Sequence, residues 1–173
     1  MTEFLNRPQT TVVATVRKPS TAASLHSLPK AASSRLVVIE MEFTSVDSIH
    51  GGIASLIAEH SIDSLDVVIA NAGIANMNLK LSETGILDIR THIAVNAFGQ
   101  LELFKVVAPL LRESKSDVKA KFLYMSSHLG SLTDMNLFAP MSAYGASKAL
   151  GNYLFKRLSL EQQDIVIWAQ HPG

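Results

Sequence analysis

Residues 121–170 read KFLYMSSHLGSLTDMNLFAPMSAYGASKALGNYLFKRLSLEQQDIVIWAQ, and this stretch decides the fold. Its two ends, KFLYMSS (121–127) and DIVIWAQ (164–170), are short and almost continuously apolar, the pattern of strands buried on both faces of a parallel sheet. Between them, residues 141–159 carry apolar side chains at helical spacing. Three similar runs stand upstream: TVVATV (11–16), RLVVIEM (35–41) and LDVVIAN (65–71). After the second of these, Val46, Ile49, Ile53, Leu56 and Ile57 recur at helical spacing behind Ser45, which reads as an N-cap with Asp47 in the first turn. Residues 86–113 carry the longest helical pattern, and residues 19–34 read as a loop with a short helix. Strands alternating with helices predict an α/β chain: a Rossmann-like, doubly wound parallel sheet with helices on both faces and ligands at the carboxyl ends of the strands. With 173 residues, 47% of them hydrophobic and 17% charged, residues 1–173 are expected to form a single domain.

Fifteen basic and fifteen acidic residues cancel, and no block of Lys and Arg stands out, so neither nucleic acid nor an anionic membrane surface is expected as a partner. The chain has no cysteine, and its six histidines show no ligand-like pairing, so no metal is expected. The opening MTEFLNRPQT lacks the apolar run of a secretory signal, and no apolar stretch reads as long enough to span a bilayer. These features lead to the expectation of a cytoplasmic protein that acts on a small molecule, with a homo-oligomer left open.

Chemistry concentrates in Tyr144-Gly-Ala-Ser-Lys148. A spacing of four on a helix stacks phenol and ammonium on one face, where the cation favours phenolate and tunes the Tyr as a proton donor. Alone, Tyr-x-x-x-Lys is a weak signal. Here it follows Asn71-Ala72-Gly73 at the end of the third strand, Asn96 in the long helix, and Ser126-Ser127 at the end of the strand before the Tyr. In that order these elements resemble the short-chain dehydrogenase/reductase family, and the loop sequences are most similar to its fungal norsolorinic acid ketoreductase and sniffer-type carbonyl reductase groups. The resemblance implies an oxidoreductase acting on carbonyls, with a shortened, catalytically inactive family member or a dinucleotide-binding module as the alternatives. It makes Tyr144 the proton donor, with Lys148 lowering its pKa and holding the nicotinamide ribose. Ser127 would bond the substrate carbonyl, and Asn96 would anchor a water of the proton relay. Asn71, Ala72 and Gly73 fall to the adenosine half of the cofactor site, and Pro172 and Gly173 complete the set of cofactor contacts.

Ser127 is preferred over Ser131, which reads as a turn residue. A Ser-His hydrolase based on Ser127 and His128 is rejected, because no Gly-x-Ser-x-Gly elbow exists and neighbours on an extended chain point apart. Asp134 and His171 read as ordinary loop residues. Arg17 and Lys18 follow the first strand where relatives that use NAD carry an acid, which favours NADP(H) and disfavours NAD. Glu42 stands where the family has an Asp near the adenine. Leu129, Leu132, Met135, Leu137 and Phe138 would form an apolar wall for a flat hydrophobic ketone, or ordinary packing.

The family pattern opens with a strand and a Thr-Gly-x-x-x-Gly-x-Gly turn, and it continues past the residues corresponding to 171–173. None of the nine glycines forms that turn, and MTEFLNRP reads as the tail of the helix that follows it. The resemblance therefore implies an incomplete Rossmann domain, lacking the first strand with its glycine turn and the C-terminal elements. The strands at 11 and 65 would then keep unpaired edges.

Overall fold

The computed structural model describes residues 1–76, 80–135 and 141–172. The chain divides into two compact units, Met1–Ile62 and Asp63–Gly173.

In the first unit a four-residue helix, α1 (Thr2–Leu5), buries Leu5 and precedes β1 (Thr11–Val16). β1 pairs in parallel with β2 (Arg35–Glu40), Thr11 lying opposite Arg35 and Val16 opposite Glu40. The expected loop between them carries a 3-10 turn, Pro19–Thr21, and the short helix α2 (Ala23–His26). α3 (Val46–Ala58) begins where the cap predicts: the Ser45 hydroxyl accepts from the Ser48 N–H, satisfying one of the amides that the first helical turn leaves without a partner. Ile49, Ile53 and Leu56 are its buried apolar stripe, and the helix packs on β2.

The second unit is a parallel sheet in the order β3 (Val67–Ala70), β4 (Lys121–Met125), β5 (Val166–Gln170). Three helical segments run on without a break: α4 (Ile86–Ile93), a π-helical turn (Ala94–Phe98) and α5 (Gly99–Arg112). α6 (Ser142–Glu161) joins β4 to β5. Phe122 and Tyr124 sit two apart on central β4, so they share a face, and both stack on Phe155 of α6 at centroid distances of 5.4 and 4.4 Å. Phe104 of α5 meets Phe122 edge-on at 5.2 Å. Aromatic contacts of this kind add about 0.5–1.5 kcal/mol each beyond area burial, and these tie both long helices to one strand.

Two expectations need correction. The apolar runs predicted strands buried on both faces, but even central β4 is fully buried on one face only, its other face of Lys121, Leu123 and Met125 being half-buried. Phe122 and Tyr124 of β4 are fully buried, whereas Val67 and Ile69, two apart on β3, are 43% and 40% exposed, and no residue of β1 is buried. Among the described residues β1 pairs only with β2 and β3 only with β4, so each keeps one edge without a ladder partner, and an edge strand has neighbours on one side only. The second correction concerns membrane length. Ile86–Arg112 is a 27-residue helix with an 18-residue window of mean hydropathy 1.3, long and apolar enough to cross a bilayer by length and composition. Half of that window is buried inside the protein, and the buried side chains include the polar His92, Asn96 and Gln100. Core packing accounts for its apolar character.

Candidate functional site

α6 presents Tyr144 and Lys148 one turn apart, as the spacing predicts. Lys148 is only 3% exposed. Its ammonium donates to the Met125 carbonyl at 2.7 Å and lies 5.6 Å from the Tyr144 ring centroid and 5.0 Å from that of Tyr124. Burial disfavours the cation and pulls the Lys148 pKa from 10.5 down to about 8.

That shift has a consequence for stability. Between pH 8 and 10.5 the unfolded chain holds a proton at Lys148 that the folded chain has released, so stability rises with pH across this window, and the cost of burying the ammonium is fully present below it. Lys148→Met is expected to stabilise the fold at pH 7 by about 1–3 kcal/mol, the upper figure set by the shift and the lower by lost contacts. Its stability should be flatter than the parent's from pH 8 to 10.5 in urea titrations; parallel pH profiles would remove Lys148 as the origin.

Asn96 sits in the π turn, fully buried, with its side chain committed. Oδ1 accepts from Ile74 N–H at 2.8 Å, while Nδ2 donates to the Ile74 carbonyl and to Ser147 Oγ, both at 2.9 Å. Ser147 in turn donates to the Tyr144 carbonyl at 2.6 Å, so Asn96 bridges the loop after β3 to the helix that carries Tyr144 and Lys148. Gly73 lies in the same bridge: a Cβ there would stand 3.0 Å from Asn96 Oδ1 and 3.7 Å from Lys148 Nζ, leaving little room for any side chain. Gly73, Asn96 and Lys148 are thus brought together as the motif order implies.

The sequence reading missed the two neighbours of Asn96. His92 Nε2 takes the Asn76 N–H at 3.3 Å while its Nδ1 pairs with the Asp88 carbonyl at 2.8 Å, so the neutral Nδ1–H tautomer fits both contacts. Gln100 Nε2 donates to the Ala72 carbonyl at 2.9 Å. His92, Asn96 and Gln100 therefore hold residues 76, 74 and 72, a ladder in which every fourth helical residue grips every second loop residue. The spacings match: four helical residues rise about 6.0 Å, and two residues of extended chain reach about 6.6 Å. In a regular α-helix, positions four apart drift about 40° around the axis at each step. The wider π turn, in which the Gly99 N–H reaches back to Ala94, takes some of that drift back. Polar residues at i, i+4 and i+8, in line along one face of the helix, were the available signal.

The three serines separate by partner. Ser126 is buried and donates to Asn152 Oδ1 at 2.5 Å, and Ser131 pairs with Asp134 as a turn residue. Ser127 is half-buried at the end of β4, where its Oγ accepts from Leu129 N–H and opens the 3-10 turn His128–Gly130. The His128 and His171 rings lie 6.0 Å apart. Leu129 is half-buried, while Leu132 and Met135 are exposed rather than packed; Leu137, Phe138 and Gly173 lie outside the described residues. Pro172 and Asn71 are exposed, as are Arg17 and Lys18 in the first unit. The Glu42 carboxylate turns back onto Thr44, accepting from its N–H and its hydroxyl at 3.2 Å.

The sequence profile of the family described as short chain dehydrogenase matches residues 1–173. The chain belongs to the short-chain dehydrogenase family. It is 54% identical over 170 residues to the short chain dehydrogenase gsfK of Penicillium aethiopicum, covering 98% of this chain and 67% of that protein. Over 173 residues it is 31% identical to the norsolorinic acid ketoreductase of Aspergillus parasiticus, covering 98% of this chain and 63% of the relative. Among solved structures, the carbonyl reductase Sniffer of D. melanogaster superposes with a TM-score of 0.80 or better, namely 0.85, at 27% identity over 98% of this chain and 73% of that one. An NADPH-bound carbonyl reductase from chicken fatty liver gives 0.80 at 29% identity, over 94% and 68%. The chain thus spans about two thirds of the length of these relatives. The Rossmann-like α/β fold and the resemblance to ketoreductases and carbonyl reductases, both expected from the sequence, are those of short-chain dehydrogenases.

Proposed function

We propose that this protein serves as an NADP-dependent ketoreductase, interconverting the carbonyl of a small, flat, hydrophobic ketone of the aromatic polyketide type with the corresponding alcohol. The observation that carries the reading is that Gly73 and Tyr144 flank the buried Lys148 ammonium while Asn96 bridges the Gly73 loop to the helix that bears Tyr144 and Lys148. The chemistry of the residues fits a dinucleotide in that Lys148, which spends one N–H on Met125, keeps donor capacity for ribose hydroxyls. When bound, NADPH supplies the hydride. Tyr144 hands its phenolic proton to the carbonyl oxygen, and Lys148 beside it favours the phenolate that results. Ser127 donates a hydrogen bond to the same oxygen as charge develops there. Asn96 holds the loop that carries Asn71, Ala72 and Gly73, which with Pro172 and Gly173 are assigned to the cofactor. The exposed Leu132 and Met135, with Leu129, would meet an apolar substrate. A cytoplasmic location, a single Rossmann domain over residues 1–173 and a small-molecule partner accompany this reading.

The cofactor preference rests on Arg17 and Lys18, whose basic side chains suit a 2′-phosphate. Arg17→Asp is expected to move the ratio of kcat/KM for NADPH over NADH toward NADH by about 10-fold or more, since a charged hydrogen bond contributes roughly 1.5–3 kcal/mol. A ratio unchanged in the variant would take Arg17 out of the cofactor site. The reading as a whole is tested by NADPH oxidation with a panel of aromatic ketones in a chain restored at both ends; no ketone-dependent oxidation, alongside intact folding, would overturn it.

A further inference from the structure

Tyr124 belongs to no motif, yet it touches two of the residues assigned to the chemistry, Asn96 and Lys148. It is fully buried on β4 beside the backbone of Lys148's acceptor, Met125. Its hydroxyl donates to the Asn96 carbonyl at 2.9 Å, inside the π turn. The Lys148 ammonium stands 5.0 Å from its ring centroid, closer than the 5.6 Å to the Tyr144 ring. Room for the phenol is made by Gly151, one turn beyond Lys148 on α6, where a Cβ would be driven into the Tyr124 hydroxyl and ring. The absence of a side chain at 151 and the presence of a phenol at 124 therefore fit as a pair. Burial, with a further contribution from Tyr144, pushes the Tyr124 pKa up, so the phenol stays protonated and remains a donor.

We propose that Tyr124 is a positioning residue for Lys148, its ring face holding the ammonium against Tyr144 while its hydroxyl, seated over Gly151 and bonded to the Asn96 carbonyl, fixes the ring. The ring does what a neighbouring anion would otherwise do: it offers negative π-density to a cation that has lost its water. The kinetic part rests on the proposed reductase reading; the electrostatic part does not.

The test separates ring electrostatics from shape. Tyr124→Phe keeps the ring face, and Tyr124→pentafluorophenylalanine keeps the shape while reversing the charge distribution of the ring. Lys148 is titrated by NMR of its labelled side chain in the parent and both variants. The Phe variant should stay close to the parent, and the pentafluoro variant should titrate about one pH unit lower. Equal midpoints in the two variants would overturn the proposal. So would an upward shift in the pentafluoro variant, because hydration rather than the ring would then control the ammonium. Gly151→Ala, which displaces the phenol without altering it, should also move the Lys148 midpoint; no movement in a folded variant counts against the proposal. Asp88, Arg90 and His92 on α4 and His128 in the 3-10 turn are the other charged or titratable groups on elements packed against α6. A shifted Lys148 with an unchanged rate of ketone reduction would keep Tyr124 as its positioner and sink the reductase role of Lys148. An unshifted Lys148 in an active enzyme would do the reverse.

Discussion

In a chain restored at both ends, Tyr144→Phe is expected to lower kcat for ketone reduction by about 10²-fold or more while leaving NADPH binding, followed by fluorescence, nearly constant, because a positioned general acid contributes roughly 10²–10⁴. The substitution keeps the ring beside the Lys148 ammonium and deletes only the transferable proton. Packing is therefore preserved, and a loss of rate without loss of binding isolates the acid. Lys148→Ala should weaken both rate and cofactor binding, since one ammonium is assigned to the ribose and to the phenol. A Tyr144→Phe enzyme that reduces ketones at the parent rate would falsify the assignment.

Asn96→Leu is expected to cost about 3 kcal/mol or more of stability, from one buried and two part-buried groups that each lose a partner at roughly 1–3 kcal/mol. Leucine is close in size, so the cavity contribution is small. The Ile74 N–H, the Ile74 carbonyl and the Ser147 hydroxyl all lose the amide that joins them. Against a usual total stability of about 5–15 kcal/mol, this can approach unfolding. His92 and Gln100 would still hold the two ends of the loop, at Asn76 and Ala72, so the damage should centre on Ile74. Urea denaturation gives the loss in stability, and amide hydrogen exchange locates it. An Asn96→Leu protein within 1 kcal/mol of the parent, with Ile74 still protected, would mean that the ladder is not what holds this loop.

The elements were legible because their signals are local. Ser45 caps α3 as expected, and the five strands lie within the five apolar runs, each at or near its predicted start. The motif residues Asn96, Ser127, Tyr144 and Lys148 could be read because their order and spacing carry the resemblance. The spacing of Tyr144 and Lys148 also carries a physical reason: four residues make one helical turn. The exposure of Val67 and Ile69 could not be read, because an apolar strand looks the same whether its neighbours cover it or not. The helix Ile86–Arg112 was read as one pattern, and its π turn escaped, because one wider turn leaves the apolar spacing nearly unchanged.

By itself the sequence determined the class of fold, the alternation of strands and helices, the family and the pairing of a phenol with an ammonium, all of which depend on residue type and spacing along the chain. Tertiary structure alone decided how those groups are held. Lys148 is buried because β4 brings Met125 and Tyr124 to it, and its proton is loosened by that burial. Tyr124 matters because Gly151, 27 positions away in number but adjacent in space, leaves room for its hydroxyl. His92 and Gln100 matter because the loop after β3 folds back along their helix with a matching rise. Desolvation, ring contact and hydrogen-bond partners all depend on which distant segments meet, and no local pattern specifies them.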